Sequence, residues 1–321
     1  MARDDAQWRR TALATSLAVL AASGACRSGR ASELPAERDG RAHAERVQGV
    51  TLHTFEIGDP RARLLLVLHG GPGLDHTYMR PWLDALGDHA RLRYVDLRGH
   101  GRSSPPPDGD GYTLSAAAAD LAALVQLLQG GQPADIVAHD FGAAVAMQLA
   151  ARHPERVRRM VLIAPLRDAN QVRSIGARTR SNLGDGAWRR IQALTTPQGT
   201  LRDPRQSGEL FRRLGRMWWF RPPSDAVLAR MARDLTYRPE ADEHFQLETT
   251  TFDGRTLAQD IRAPTLVLSG REDLTFPAVD SRALADILPH GRYAEVPAAG
   301  HCPFIEQNTT AIGEIQRFLA H

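Results

Sequence analysis

The sequence predicts an α/β fold in which a mainly parallel sheet is flanked by helices and carries an inserted helical cap. Three observations lead there. From Val47 onward, short apolar runs alternate with helix-like segments. The alternation breaks between Pro165 and about Ile261, a stretch without convincing strands, and resumes after Ala263-Pro264. Residues 136–146 set a β-rich run directly before a small-residue helix, across a turn too tight for bulky neighbours.

Strands are expected at 50–55, 64–69, 92–96, 135–138, 160–164, 265–269 and 293–296. The runs at 64–68 and 265–268 are almost wholly apolar, as strands covered on both faces should be. Helices are expected at 78–86, 114–128, 143–152, 279–288 and 310–319. The interruption holds Trp188, Trp218, Trp219 and Phe220 among helical segments. It reads as a cap at 166–260 dividing a core of 47–165 and 261–321. A second domain in tandem is the alternative, and the resumed sheet pattern argues against it. Active sites of such sheets lie at the carboxyl ends of the strands.

At 42% hydrophobic and 24% charged residues, the 321-residue chain is ordinary for a globular protein. Its basic residues are all arginine, interleaved with Asp and Glu, and the net charge is only +3. A nucleic-acid surface would gather them into a stripe. The richest stretch, 171–238, reads instead as solvated faces, so no nucleic-acid partner is expected. Arg9-Arg10, an apolar run at 11–22 and Ser23-Gly24-Ala25-Cys26 make an export signal over 1–26. The run is too short for a membrane span. Residues 27–46 read as a polar tether, giving an exported protein, periplasmic or membrane-anchored. With only Cys26 and Cys302 in the chain, a disulfide scaffold is excluded. Neither metal-ligand spacing nor a phosphate-binding glycine loop is present. The expectation is an enzyme without metal or cofactor.

The chemistry gathers at strand ends. Ala138 and Gly142 flank Asp140 at minus two and plus two, where a nucleophile elbow requires small side chains. Such a turn strains its central residue and points that side chain out of the sheet. A carboxylate there attacks saturated carbon well and acyl carbon badly. The plainer alternative is that Asp140 caps the following helix, for which Asp is favoured. His69-Gly70-Gly71-Pro72-Gly73 follows a buried strand, where glycines let backbone N–H groups approach a reacting oxygen. Asp273, after the strand at 265–269, can orient a histidine, and His301 follows the last strand. Singly, these would be a turn, a loop acid and an unremarkable histidine. In the order nucleophile, acid, histidine, each at a strand end, they form one constellation.

From about Val47 to His321 the chain resembles the α/β-hydrolase superfamily, in which serine usually occupies the elbow. Ala138-His139-Asp140-Phe141-Gly142 is similar to the His-Asp-Trp-Gly elbow of epoxide hydrolases and haloalkane dehalogenases. The loop at 69–73 is more similar to proline iminopeptidases, and Asp96-Leu97-Arg98-Gly99-His100-Gly101-Arg102-Ser103 is general to the superfamily. Ala25-Cys26 resembles the end of a bacterial lipoprotein box, although Ser23 departs from it. Lipidation of Cys26 would then anchor the protein to a membrane.

The resemblance implies a two-step hydrolysis: Asp140 forms an alkyl ester, then His301, oriented by Asp273, activates water. The N–H groups of Phe141 and Gly71 hold the oxyanion. Phe141 lacks the indole N–H that dehalogenases aim at a departing halide, and Gly71 stands where their other halide ligand would be. Dehalogenation is therefore disfavoured, even allowing Trp218 or Trp219 as substitutes. An epoxide hydrolase would take a tyrosine from the cap to protonate the ring oxygen, and Tyr237 is the one available there. Tyr78 is a weaker candidate. The leading expectation is an epoxide-hydrolase-like enzyme for a small hydrophobic substrate. Ester or amide hydrolysis, with Asp140 as a base, and a non-catalytic ligand binder are the alternatives.

Overall fold

A computed structural model describes residues 34–320 apart from 108, 110, 197 and 198. The export segment with Cys26, and tether residues 27–33, lie outside the described residues. Eight strands form one sheet in the order β1-β2-β4-β3-β5-β6-β7-β8. They are β1 Arg41–Val47, β2 Val50–Ile57, β3 Leu64–Leu68, β4 Arg91–Val95, β5 Ala134–His139, β6 Val157–Ile163, β7 Thr265–Gly270 and β8 Gly291–Val296. Strand β2 is antiparallel to β1 and β4, and every pairing from β4 through β8 is parallel.

Period-two alternation sorts β3 between two cores. Leu64, Leu66 and Leu68 join one apolar cluster, while Leu65 and Val67 join the other. All five are buried because helices cover both faces, which is why the strand reads as continuous leucine and valine. Helices α1 Leu114–Gln129 and α2 Phe141–Arg152 cover the first face with mostly small and aliphatic residues. Thr113 starts α1 by accepting the Ala116 N–H, and Gly130 ends it in the left-handed conformation.

Between β6 and β7 the described residues form α3 Ala169–Leu183, α4 Asp185–Gln192, α5 Ser207–Leu214, α6 Asp225–Asp234, α7 Pro239–Thr249 and α8 Arg255–Ala258. This insertion is tied to the core by backbone: Arg238 N–H donates to the Gly73 carbonyl at 2.9 Å, and His301 N–H to the Trp218 carbonyl at 2.7 Å. Helices α9 Ala278–Ile287, α10 Pro303–Glu306 and α11 Asn308–Ala320 complete the core. Among the described residues no helix is long and apolar enough to cross a membrane.

Two expectations need correction. Residues 41–46 are not tether but most of β1, paired in register with β2 from Arg41↔Glu56 to Val47↔Val50. The strand lies at the sheet edge with mostly exposed or half-buried side chains, so its sequence is polar. Glu45 accepts from Arg93 at 3.0 Å, fixing it to the sheet. The helix expected at 78–86 is instead two 3₁₀ turns, His76–Met79 and Asp84–Asp88. Pro81 between them cannot donate the N–H that a continuous helix needs.

Candidate active site

Strand β5 meets α2 at Asp140, whose backbone sits at φ 53°, ψ −119°. That conformation is strained for a side chain with a Cβ, costing of order 1–3 kcal/mol. Its surroundings enforce it: Asp140 N–H donates to the Ile163 carbonyl on β6 at 3.0 Å. Gly142 is obligatory, since a Cβ there would stand 2.4 Å from the His69 carbonyl oxygen. The Asp140 side chain makes no capping bond to α2. The capping alternative thus gives way to an elbow.

The glycine loop follows β3. Gly71 N–H donates to Asp140 Oδ2 at 2.9 Å. Phe141 opens α2, so its N–H has no intrahelical acceptor. Its ring is core, packed edge-on against Phe245 at 5.1 Å.

His301 Nδ1 lies 2.9 Å from Asp273 Oδ2, and the other Asp273 oxygen accepts the N–H groups of Thr275 and Phe276 at 2.7 and 3.0 Å. His301 Nε2 stands 4.0 Å from Asp140 Oδ2 and has no hydrogen-bond partner. All three side chains are buried. Burial alone would lower the His301 pKa. The Asp273 charge and hydrogen bond, with the Asp140 charge 4.0 Å away, outweigh burial and push it up to about 10. The geometry therefore favours the protonated form of His301, held between Asp273 and Asp140.

The substrate-binding candidates are divided. Trp218 packs its ring 5.1 Å from that of His301. Trp219 is fully buried beside it, with an unpartnered indole N–H. Tyr237 does not serve as the expected acid donor. Its hydroxyl donates to Asp242 Oδ2 and accepts the Leu201 N–H at 2.9 Å, so its one proton is committed within the cap. Tyr78 is committed too, accepting the Gly70 N–H at 2.8 Å and lying 2.7 Å from His139 Nδ1.

Sequence reasoning passed over three groups that shape the site. His139 spans Tyr78 and the His301 carbonyl. Glu306 accepts the N–H groups of Gly300 and Arg221 at 2.7 and 2.8 Å, fastening the His301 loop to the cap. Asp96 accepts N–H from His76 at 3.1 Å and Arg102 at 3.0 Å, besides facing His76 Nδ1 at 2.6 Å. For His139 and Asp96 the sequence shows a polar residue at the end of an apolar strand, which demands a partner without naming it; Glu306 lies in a helix and gives no such sign. His53, His76 and Asp96 are also the described residues whose ligand atoms come close enough for a metal. The donors already on Asp96 make it a satisfied buried anion instead.

Comparison with known proteins bears on the fold. The model of the family described as alpha/beta hydrolase fold matches residues 63–307. The 2-hydroxymuconate semialdehyde hydrolase of Pseudomonas putida is 30% identical over 240 residues, covering 72% of this chain and 77% of that protein. The cis-3-alkyl-4-alkyloxetan-2-one decarboxylase of Shewanella oneidensis is 25% identical over 270 residues, 82% of this chain and 84% of that one. In fold, a proline iminopeptidase-related protein from Thermus thermophilus superposes with a TM-score of 0.71 at 23% identity, over 88% of this chain and 98% of that one. The family model spans most of the chain, including both parts of the sheet core, and this chain belongs to the alpha/beta hydrolase family.

Proposed function

We propose that this hydrolase uses Asp140 as a nucleophile toward saturated carbon, and that its substrate departs from that carbon as a stable anion. One observation carries the reading: the glycine-loop donor is already on the carboxylate, Gly71 N–H to Asp140 Oδ2 at 2.9 Å. In acyl transfer by serine that donor must hold the substrate's oxygen. Here it holds the oxygen that becomes the oxyanion when water attacks an ester of Asp140 itself.

The steps follow from the charges. The free Asp140 oxygen attacks the alkyl carbon, the carbon–leaving-group bond breaks, and an alkyl ester forms. Esterification removes one of the two carboxylate charges that hold the His301 pKa at about 10. The imidazolium can then lose its proton and serve as base. His301 Nε2 takes a proton from water, hydroxide adds to the Asp140 carboxyl carbon, and the charge settles on Oδ2 between Gly71 and Phe141 N–H. Collapse expels the alkoxide, which takes the proton from His301, and the carboxylate returns as its own acid proton passes to His301, restoring the imidazolium.

Neither Tyr78 nor Tyr237 has a free proton for an epoxide oxygen. That favours a leaving group needing no acid, such as the carboxylate released by alkyl–oxygen cleavage of a strained lactone. The relative in Shewanella oneidensis is named for a four-membered lactone, and this supports the same class here. Residues 1–26 would export the enzyme, with Cys26 as a lipid attachment point.

The test is a single turnover of β-butyrolactone in ¹⁸O-water with enzyme in excess. The product hydroxyl should carry unlabelled oxygen and the peptide containing Asp140 should gain the label. Label in the product on the first turnover would mean direct attack by water and would end the nucleophile reading. Styrene oxide, 1-bromobutane, p-nitrophenyl butyrate and Pro-p-nitroanilide serve as competing substrates, with faster turnover of the last two favouring acyl chemistry.

A further inference from the structure

The geometry points to Tyr78 and His139 as positioning residues that hold the glycine loop, the elbow and the His301 loop in one register. His139 Nε2 lies 3.0 Å from the His301 carbonyl oxygen, which only accepts, so Nε2 carries the hydrogen. Burial, followed by the neighbouring His301 charge, lowers the His139 pKa to about 3, so the ring is neutral and Nδ1 offers a lone pair. Tyr78 O–H therefore donates to Nδ1 at 2.7 Å while its oxygen accepts the Gly70 N–H at 2.8 Å. A one-directional chain of hydrogen bonds runs from Gly70 N–H through Tyr78 and His139 to the His301 carbonyl. Such chains strengthen along their length in a dry interior.

The consequence lies in which amide faces the nucleophile. The Gly70 N–H is turned to Tyr78, and the next one, Gly71 N–H, meets Asp140 Oδ2. The loop has no slack for another arrangement: a Cβ on Gly70 would stand 2.8 Å from that same Oδ2. At its other end the chain ties the His301 backbone to the residue beside Asp140. Both sides of the 4.0 Å gap between His301 Nε2 and Asp140 are thus set by one pair of side chains. Neither side chain has a free polar group for substrate.

Amide hydrogen exchange of the folded full chain tests this without a substrate. Tyr78→Phe should speed exchange of both 69–74 and 298–304 by about tenfold, the scale of one lost hydrogen bond, with α1 unchanged. His139→Gln, whose amide can accept from Tyr78 and donate to the His301 carbonyl, should keep both segments at the wild-type rate. His139→Asn, too short to reach both, should not. Loosening of 69–74 with 298–304 at the wild-type rate would overturn the proposal, as would identical behaviour of the Gln and Asn variants.

A kinetic arm rests on Asp140 as nucleophile. Tyr78→Phe should slow hydrolysis of the alkyl enzyme by about 10²-fold, the effect of a small misplacement, with KM little changed. A merely structural role would lower stability and leave the balance of the two steps alone. If exchange changes as expected and no alkyl enzyme ever forms, the register holds and the nucleophile reading fails.

Discussion

An aspartate at an elbow can react only if nothing else claims its oxygens. Asp140 meets that condition: it caps no helix, and its side-chain hydrogen bond comes from Gly71. Asp140→Asn keeps the shape and removes the nucleophile, so turnover should fall by roughly 10⁴-fold or more with the fold intact. His301→Gln should separate the two half-reactions. Intact mass would show one alkyl group added and retained, because the base for the second step is gone. Free turnover by that variant would sink the two-step scheme. Tyr237 makes the complementary case. Its hydroxyl holds Asp242 and the Leu201 N–H inside the cap. Tyr237→Phe should therefore lower stability by about 1–3 kcal/mol, the cost of unpaired buried groups, while steady-state kcat stays within a few-fold of wild type. An acid donor would instead lose most of kcat at unchanged stability.

At the level of elements, close approach of β3, β5 and α2 is what a glycine at 142 permits. Gly142→Ala would push a methyl to 2.4 Å from the His69 carbonyl oxygen, which is backbone and cannot swing aside. Overpacking of this kind costs about 1–3 kcal/mol, and it displaces the very loop that carries Gly71. Thermal unfolding and kcat should fall together, whereas Gly130→Ala, with open space around the added Cβ, should alter stability alone. This small-residue pattern made the elbow legible in the sequence, and the apolar runs did the same for the seven strands from β2 to β8. Strand β1 was hidden because an edge strand with exposed faces has no apolar signature. The acid and the histidine were legible from their places after β7 and β8. The roles of Tyr78, His139 and Glu306 were not, because each depends on a bond to a group far along the chain: 61 residues from Tyr78 to His139, 162 from His139 to the His301 carbonyl and 85 from Glu306 to the Arg221 N–H. No local pattern encodes such a partner. Tyr237 misled for the same reason: being in the cap fixed its neighbourhood but not the direction of its proton.

Across the whole molecule, the buried ionisable groups make stability depend on pH in a way that isolates His301. On the acid side the contributions oppose one another. Burial lowers His100 and His139 to about 3, so the unfolded chain binds their protons more readily and stability drops as pH falls below about 6.5. Burial pushes Asp242 up to about 6 and Glu306 up to about 7, so the folded chain holds those protons and stability rises as pH falls through these windows. By about pH 8 these four have almost finished titrating in both states, and at pH 7.5 the remnants of Glu306 and of the two histidines oppose one another. Cys302, pushed up by burial, adds its own loss only as the unfolded thiol ionises near 9. Between lies His301, raised to about 10 because the carboxylates of Asp273 and Asp140 outweigh its burial. Its folded pKa exceeds its unfolded one, so its stabilisation is complete below about 6.5 and is lost as pH climbs toward 10. From pH 7.5 to about 8.25 one more proton is bound folded than unfolded, and nearer 9 Cys302 adds to the difference in the enzyme and a His301→Gln variant alike. The unfolding free energy should then fall by about 1.4 kcal/mol per pH unit, a slope that depends on the proton count and not on the size of the shift. His301→Gln should flatten it, and alkylation of Asp140 should make it shallower by withdrawing one of the two charges. Denaturant unfolding of the free enzyme and the variant at pH 7.5, 8.25 and 9 decides the matter. Parallel slopes in the two would place the extra proton elsewhere and remove the case for a resting imidazolium between the two aspartates.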